Sequence, residues 1–140
     1  MATFEGLGEA EARAFTSRWL PAWTGNDPEG LVAFYADDAV YRDPAVPDGV
    51  RGHEQILPYF RRLLGRYPDW VWTNTGVRPL RDGFLNYWHA VIPTPGGVVE
   101  CDGVCTVSLR GGLITRNEVF FDRSPLLSAL SSRPPTPRPR

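Results

Sequence analysis

The spacing of bulky apolar residues divides the chain near Asp69. Before it, apolar positions recur mostly at helical intervals; after it, they alternate in β-rich runs. Phe15, Trp19 and Trp23 stand four residues apart, which predicts a helix over Glu9 to Trp23 with that face buried and its last turn loosened by Pro21. In "NDPEGLVAFYADD" Asp27 suits the N-cap and Pro28 the first helical position, so a short second helix runs to about Tyr35. "DAVYRDP" reads as a strand ending before Pro44, with Asp37 and Asp38 closing the turn that precedes it. "PAVPDGVRG" reads as a loop, and "HEQILPYFRRLLGRYP" as a third helix carrying Ile56, Leu57, Phe60, Leu63 and Leu64, interrupted early by Pro58.

Four β-rich stretches follow: "WVWTNTGV", "GFLNYWHAVIP", "GVVECDGVCTVSLRG" and "LITRNEVFFD", divided by Gly and Pro turns. Short connections imply an antiparallel meander, and helices followed by strands imply an α+β domain with helices on one face of the sheet. "RSPLLSAL" opens a short last helix. The expectation is one domain over residues 1–130, followed by a disordered Pro/Arg-rich tail over 131–140.

Composition narrows the function classes. The 140 residues are 42% hydrophobic and 12% aromatic, enough for one core. A net charge of −1 with no basic stripe gives no field for nucleic acid or an anionic membrane. No apolar run is long enough to span a bilayer, and the first residues lack a secretory pattern, so a cytoplasmic protein is expected. Cys101 and Cys105, four strand steps or roughly 13 Å apart, are too distant for a disulfide and read as free thiols. Two histidines and no regular ligand spacing leave no metal site expected. His53, at a helix start, reads as surface or capping chemistry.

The chemistry-bearing candidates sit on strands. A period of two places Tyr41 and Asp43 on one face of "DAVYRDP". Asp43 before Pro44 is either a catalytic carboxylate or a turn aspartate bonding its own backbone. Alternation groups His89 with Leu85, Tyr87 and Val91. Asp122 ends the apolar run "EVFF", where poor solvation would raise its pKa; its alternatives are a helix cap or a pair with Arg123. Trp19, Trp23, Phe60, Trp72, Tyr87 and Phe120 are the candidates to line an apolar pocket.

The order of elements, with "FYADDAVYRDP", "PDGVRGHEQI" and "GGLITRNEVFFDRSPLL", resembles the SnoaL-like polyketide cyclases of the ketosteroid isomerase and nuclear transport factor 2-like superfamily, from about Ala12 to Leu130. The resemblance implies a cone-shaped, barrel-like fold, with N-terminal helices packed on a strongly curved, mainly antiparallel sheet enclosing one pocket. It implies cofactor-independent acid/base catalysis on a hydrophobic polyketide- or terpenoid-like molecule, of cyclase or isomerase type, in a homodimer formed through the sheet. Asp43 matches the isomerase base, whereas Trp19 and Cys105 stand where isomerases carry oxyanion donors. Asp122 matches the acid/base of SnoaL-like cyclases, and the resemblance turns His89 toward the pocket as a proton shuttle. Tyr41 and Asp43 also match water-holding positions of limonene epoxide hydrolases, with His89 and Val91 replacing two of that mechanism's trio. Epoxide opening and a non-catalytic binding module are the alternatives.

Overall fold

The computed structural model of the chain describes residues 8–131. Helix α1 spans Glu9–Trp19 and passes into a 3-10 turn over Leu20–Trp23. Pro21 supplies no N–H for the preceding turn, so the helix tightens there instead of running to Trp23 as one element. Helix α2, Pro28–Val32, is capped by Asp27, whose Oδ1 accepts the Gly30 N–H at 3.0 Å. Helix α3, Gly52–Arg66, continues through Pro58. That proline is exposed, so the carbonyl it leaves without a donor faces water. Helix α4, Ser124–Ser131, closes the described chain. Apart from Ser131, the tail expected over 131–140 lies outside the described residues.

Six strands form one mixed sheet: β1 Tyr35–Asp43, β2 Val46–Arg51, β3 Val71–Leu80, β4 Gly83–Thr94, β5 Gly97–Arg110 and β6 Leu113–Phe120. Their order is β2-β1-β6-β5-β4-β3, with β1 parallel to β6 and every other neighbour antiparallel. The expected loop "PAVPDGVRG" is therefore largely strand. As an edge, β2 tolerates Pro47 because no further strand needs its N–H. Asp37 and Asp38 are likewise corrected from turn to strand: they occupy an irregularity within β1, between the paired residues Tyr35 and Val40, and both are exposed.

The cone-shaped, barrel-like expectation is also corrected. The sheet is neither closed nor strongly curled: β2 and β3 remain its two edges and do not pair. Closure requires hydrogen bonds between edge strands. Here helices and aromatic side chains fill the space against one face. Phe15, Trp19 and Trp23 point into this layer, as do Ile56, Phe60 and Leu64 of α3. Trp70 Nε1 donates to the Trp23 carbonyl, and Thr24 Oγ1 donates to the Trp70 carbonyl at 2.8 Å, tying the 3-10 turn to the start of β3. Among the described residues no helix is long and apolar enough to cross a membrane.

Candidate active site

Between the helices and the inner face of the sheet lies a cavity of about 630 Å³. Trp19, Trp23, Trp70, Trp72, Trp88 and Phe121 supply much of its wall, joined by Ile92, Val119 and Leu126. Phe60, expected on the wall, is fully buried behind it, packed edge-on against Trp23 and Tyr41. The cavity opens between the end of α3, the β1–β2 turn and α4, where the exposed residues Arg62, Arg66, Ala45 and Leu127 contribute.

Asp43 is the one carboxylate among the described lining residues. It sits where β1 turns through Pro44. Its Oδ1 accepts the backbone N–H groups of Ala45 at 2.7 Å and Val46 at 3.2 Å. Its Oδ2 accepts the hydroxyls of Tyr41 at 2.8 Å and Tyr59 at 2.7 Å. One oxygen thus shapes the turn and the other receives two phenols. Burial, then the neighbouring Asp43 charge, pushes both phenol pKa values up, so Tyr41 and Tyr59 stay protonated donors.

A second polar seam crosses the floor. Asn74 Nδ2 donates to Asn86 Oδ1 at 2.6 Å, and Asn86 Nδ2 donates to Cys105 Sγ at 3.3 Å. Burial pushes the Cys105 thiol up to about 12, so at the isomerase-like donor position it offers only a weak S–H. Both cysteines are free, as their spacing requires. Asn117 Nδ2 donates to the Tyr35 hydroxyl at 3.0 Å. Among the described residues, three buried polar atoms of wall residues lack a well-formed hydrogen bond: Trp72 Nε1, Asn117 Oδ1 and Trp19 Nε1, the last beside the Tyr35 hydroxyl.

The structure brings together Tyr41, Asp43, Trp19, Trp23 and Trp72, and separates them from the other candidates. In β4 the inner face carries Asn86, Trp88, Ala90 and Ile92, so Tyr87 and His89 project from the outer face. Both faces of β4 carry bulky residues, and alternation alone does not say which is inside. In β6, Ile114 and Asn117 are both fully buried although three residues apart. The register shift between Ile114 and Arg116 switches the parity there, bringing Asn117, Val119 and Phe121 inward. Phe120 is consequently 47% exposed. Asp122 is exposed and lies off the cavity wall. Its Oδ1 accepts the Ser124 N–H at 2.9 Å, and hydrogen bonds from Ser124 hold its pKa below the ordinary value, opposite to the expected rise.

Tyr59 was missed although it is three residues after Ile56 and four before Leu63, on the same helical stripe. Asn117 was legible only once the β6 bulge was known. Arg62, Arg66 and Arg123 carried no signal in the sequence that separated them from surface charge.

His89 lies between two carboxylates, with Nδ1 2.9 Å from Asp102 Oδ1 and Nε2 3.1 Å from Glu100 Oε1. Asp102 first, then Glu100, raises its pKa above the usual histidine value. Its charged form therefore stabilises the fold at low pH, and that contribution fades as pH rises through the raised midpoint. An NMR titration should place the His89 midpoint above 6.5, and Asp102→Asn should lower it.

The chain is 39% identical over 56 residues to the steroid Δ-isomerase of Nocardioides simplex, a match covering 40% of this chain and 46% of that protein. It thus spans less than half the length of this curated relative. A Catenulispora acidiphila protein with a ketosteroid isomerase-like fold, solved with trimethylamine, superposes with a TM-score of 0.74 at 23% identity, covering 82% of this chain and 90% of that one. Rv0760c of Mycobacterium tuberculosis, solved with estradiol-17β-hemisuccinate, gives 0.66 at 22% identity, covering 79% and 93%. These similarities agree with the α+β architecture above. Residues 16–117 match the SnoaL-like domain model, and the chain belongs to the SnoaL-like family.

Proposed function

We propose that the chain is a cofactor-independent acid/base enzyme acting on a hydrophobic, polyketide- or terpenoid-like molecule, in a cyclase- or isomerase-type reaction. The observation that carries this reading is Asp43, the one carboxylate on the described wall of an apolar cavity, with its Oδ2 turned to two tyrosine hydroxyls. Asp43 takes a proton from a carbon next to a carbonyl and returns it to another position. Trp72 and Asn117 stand on the same wall, each with one buried polar atom, Nε1 and Oδ1, that has no hydrogen-bond partner among the described residues. The cavity volume suits a drug-sized apolar body. The partial relationship to a steroid isomerase and the steroid ester bound by Rv0760c support the same substrate class.

Tyr41 and Asp43 are hydrogen-bonded as epoxide opening would ask, but His89 and Val91 lie on the opposite face of β4 from the wall residues, which favours proton transfer. The test is deuterium incorporation from D2O into androst-5-ene-3,17-dione and a panel of apolar 1,3-diketones, followed by NMR. Exchange is expected with the wild type and only at background with Asp43→Asn. Equal exchange by both proteins would overturn the reading.

A further inference from the structure

We propose that the substrate is an amphiphile whose apolar body enters the cavity while an oxyanionic group is held at the mouth by Arg62, Arg66 and Arg123. This names the substrate class for the proton-transfer reading above and rests on it. Three guanidiniums meet one carboxylate on the cavity's described lining. Arg13, Arg42, Arg61, Arg110 and Arg116 each pair with a carboxylate. The three mouth arginines make no such pair and no side-chain hydrogen bond among the described residues, so their donors remain open to a ligand.

They are also positioned. The Arg62 guanidinium lies 5.9 Å from the Tyr59 ring centroid, and that of Arg66 lies 5.6 Å from the Tyr67 ring centroid. Aromatic faces hold planar cations in this way and limit their freedom before any ligand arrives. Arg123 comes from the opposite rim, where β6 passes into α4, and its charge, like that of Arg62, reaches the Tyr59 hydroxyl. Tyr59 donates to Asp43, which places the cationic mouth at the Asp43 end of the cavity. An anionic ligand beside Asp43 would otherwise meet a like charge, and the guanidiniums offset that repulsion. The bland account is that the arginines only cover apolar rim surface with their stems. That account predicts no preference for charge.

Fluorescence titration of the full chain with 1-anilinonaphthalene-8-sulfonate and with N-phenyl-1-naphthylamine, the same rings without the sulfonate, separates the two. The sulfonate should bind at least about tenfold tighter, with an advantage that shrinks in high salt. The triple variant Arg62→Gln, Arg66→Gln, Arg123→Gln should lose that advantage and keep its affinity for the neutral probe within about twofold. The triple lysine variant should retain most of the advantage. Equal binding of the two probes, equal loss of both in the glutamine variant, or no binding of either overturns the proposal. Failure of deuterium exchange with the sulfonate preference intact would overturn the catalytic reading and leave the anion site standing.

Discussion

Asp43→Asn is expected to lower kcat/KM for proton exchange by about 10²–10⁴-fold, the usual cost of removing a general base, with only a small change in stability. The asparagine keeps one carbonyl oxygen, which serves the turn by accepting the Ala45 and Val46 N–H groups. Its NH2 then faces the oxygens of Tyr41 and Tyr59, which accept hydrogen bonds as readily as they donate them. The local geometry survives while the proton acceptor is lost. Tyr41→Phe and Tyr59→Phe each remove one donor to the carboxylate and leave the other, so each should cost far less than Asp43→Asn. Steady-state exchange rates alongside thermal melts read this pattern. A variant whose rate stays within about threefold of the wild type, with an unshifted melt, would show that Asp43 serves only the turn.

The two-sided hydrogen bonding of Asp43, turn N–H groups on Oδ1 and two phenols on Oδ2, matches the sequence's failure to choose between turn chemistry and catalysis. Its two oxygens do different things, and a period of two correctly phased Tyr41 with it across a short strand. The same rule does not survive a bulge. In β3 the irregularity between Asn74 and Gly76 switches parity, so Trp72 and Asn74 face inward before it and Val77 after it. In β6 the switch near Arg116 puts Asn117 on the wall and Phe120 and Asp122 off it. The apolar run before Asp122 suggested poor solvation, yet the residue sits at the end of the strand where α4 begins, and capping Ser124 decides its environment.

The α+β order, the Asp27 cap and the free cysteines followed from local rules, because they depend on neighbours a few residues away. Sheet closure does not. Whether β2 and β3 meet depends on what lies between distant edges, and a loop-like composition hid β2 altogether. Its pairing of Val50 with Tyr41 and Val46 with Asp43 is a long-range event. It also braces the strand end from which Asp43 projects. Pro58 shows the converse: a local rule forecast an interruption, and exposure of that side of α3 removed the penalty.

Trp88→Ala is expected to cost about 3–5 kcal/mol in urea unfolding, a large part of the stability of a domain this size. The ring is 2% exposed and packs edge-on against Trp72 at 4.4 Å and against Phe121 at 5.5 Å between centroids. Its cross-strand partner is Gly103, and a Cβ there would stand 2.3 Å from Trp88 Cζ2 and 2.7 Å from the Phe120 carbonyl oxygen. The glycine is therefore required by the indole, and the indole by the cavity wall. Gly103→Ala alone should overpack the site at a cost of about 1–3 kcal/mol. In the double variant the new methyl enters space the indole has left, so the two costs should not add. The shortfall should be more than about 0.5 kcal/mol, as expected for residues in direct contact. Only the Phe120 carbonyl clash should remain. Strict additivity, or a Trp88→Ala cost below about 1 kcal/mol, would mean that the indole does not lie over Gly103. The cavity would then be bounded by a different strand face.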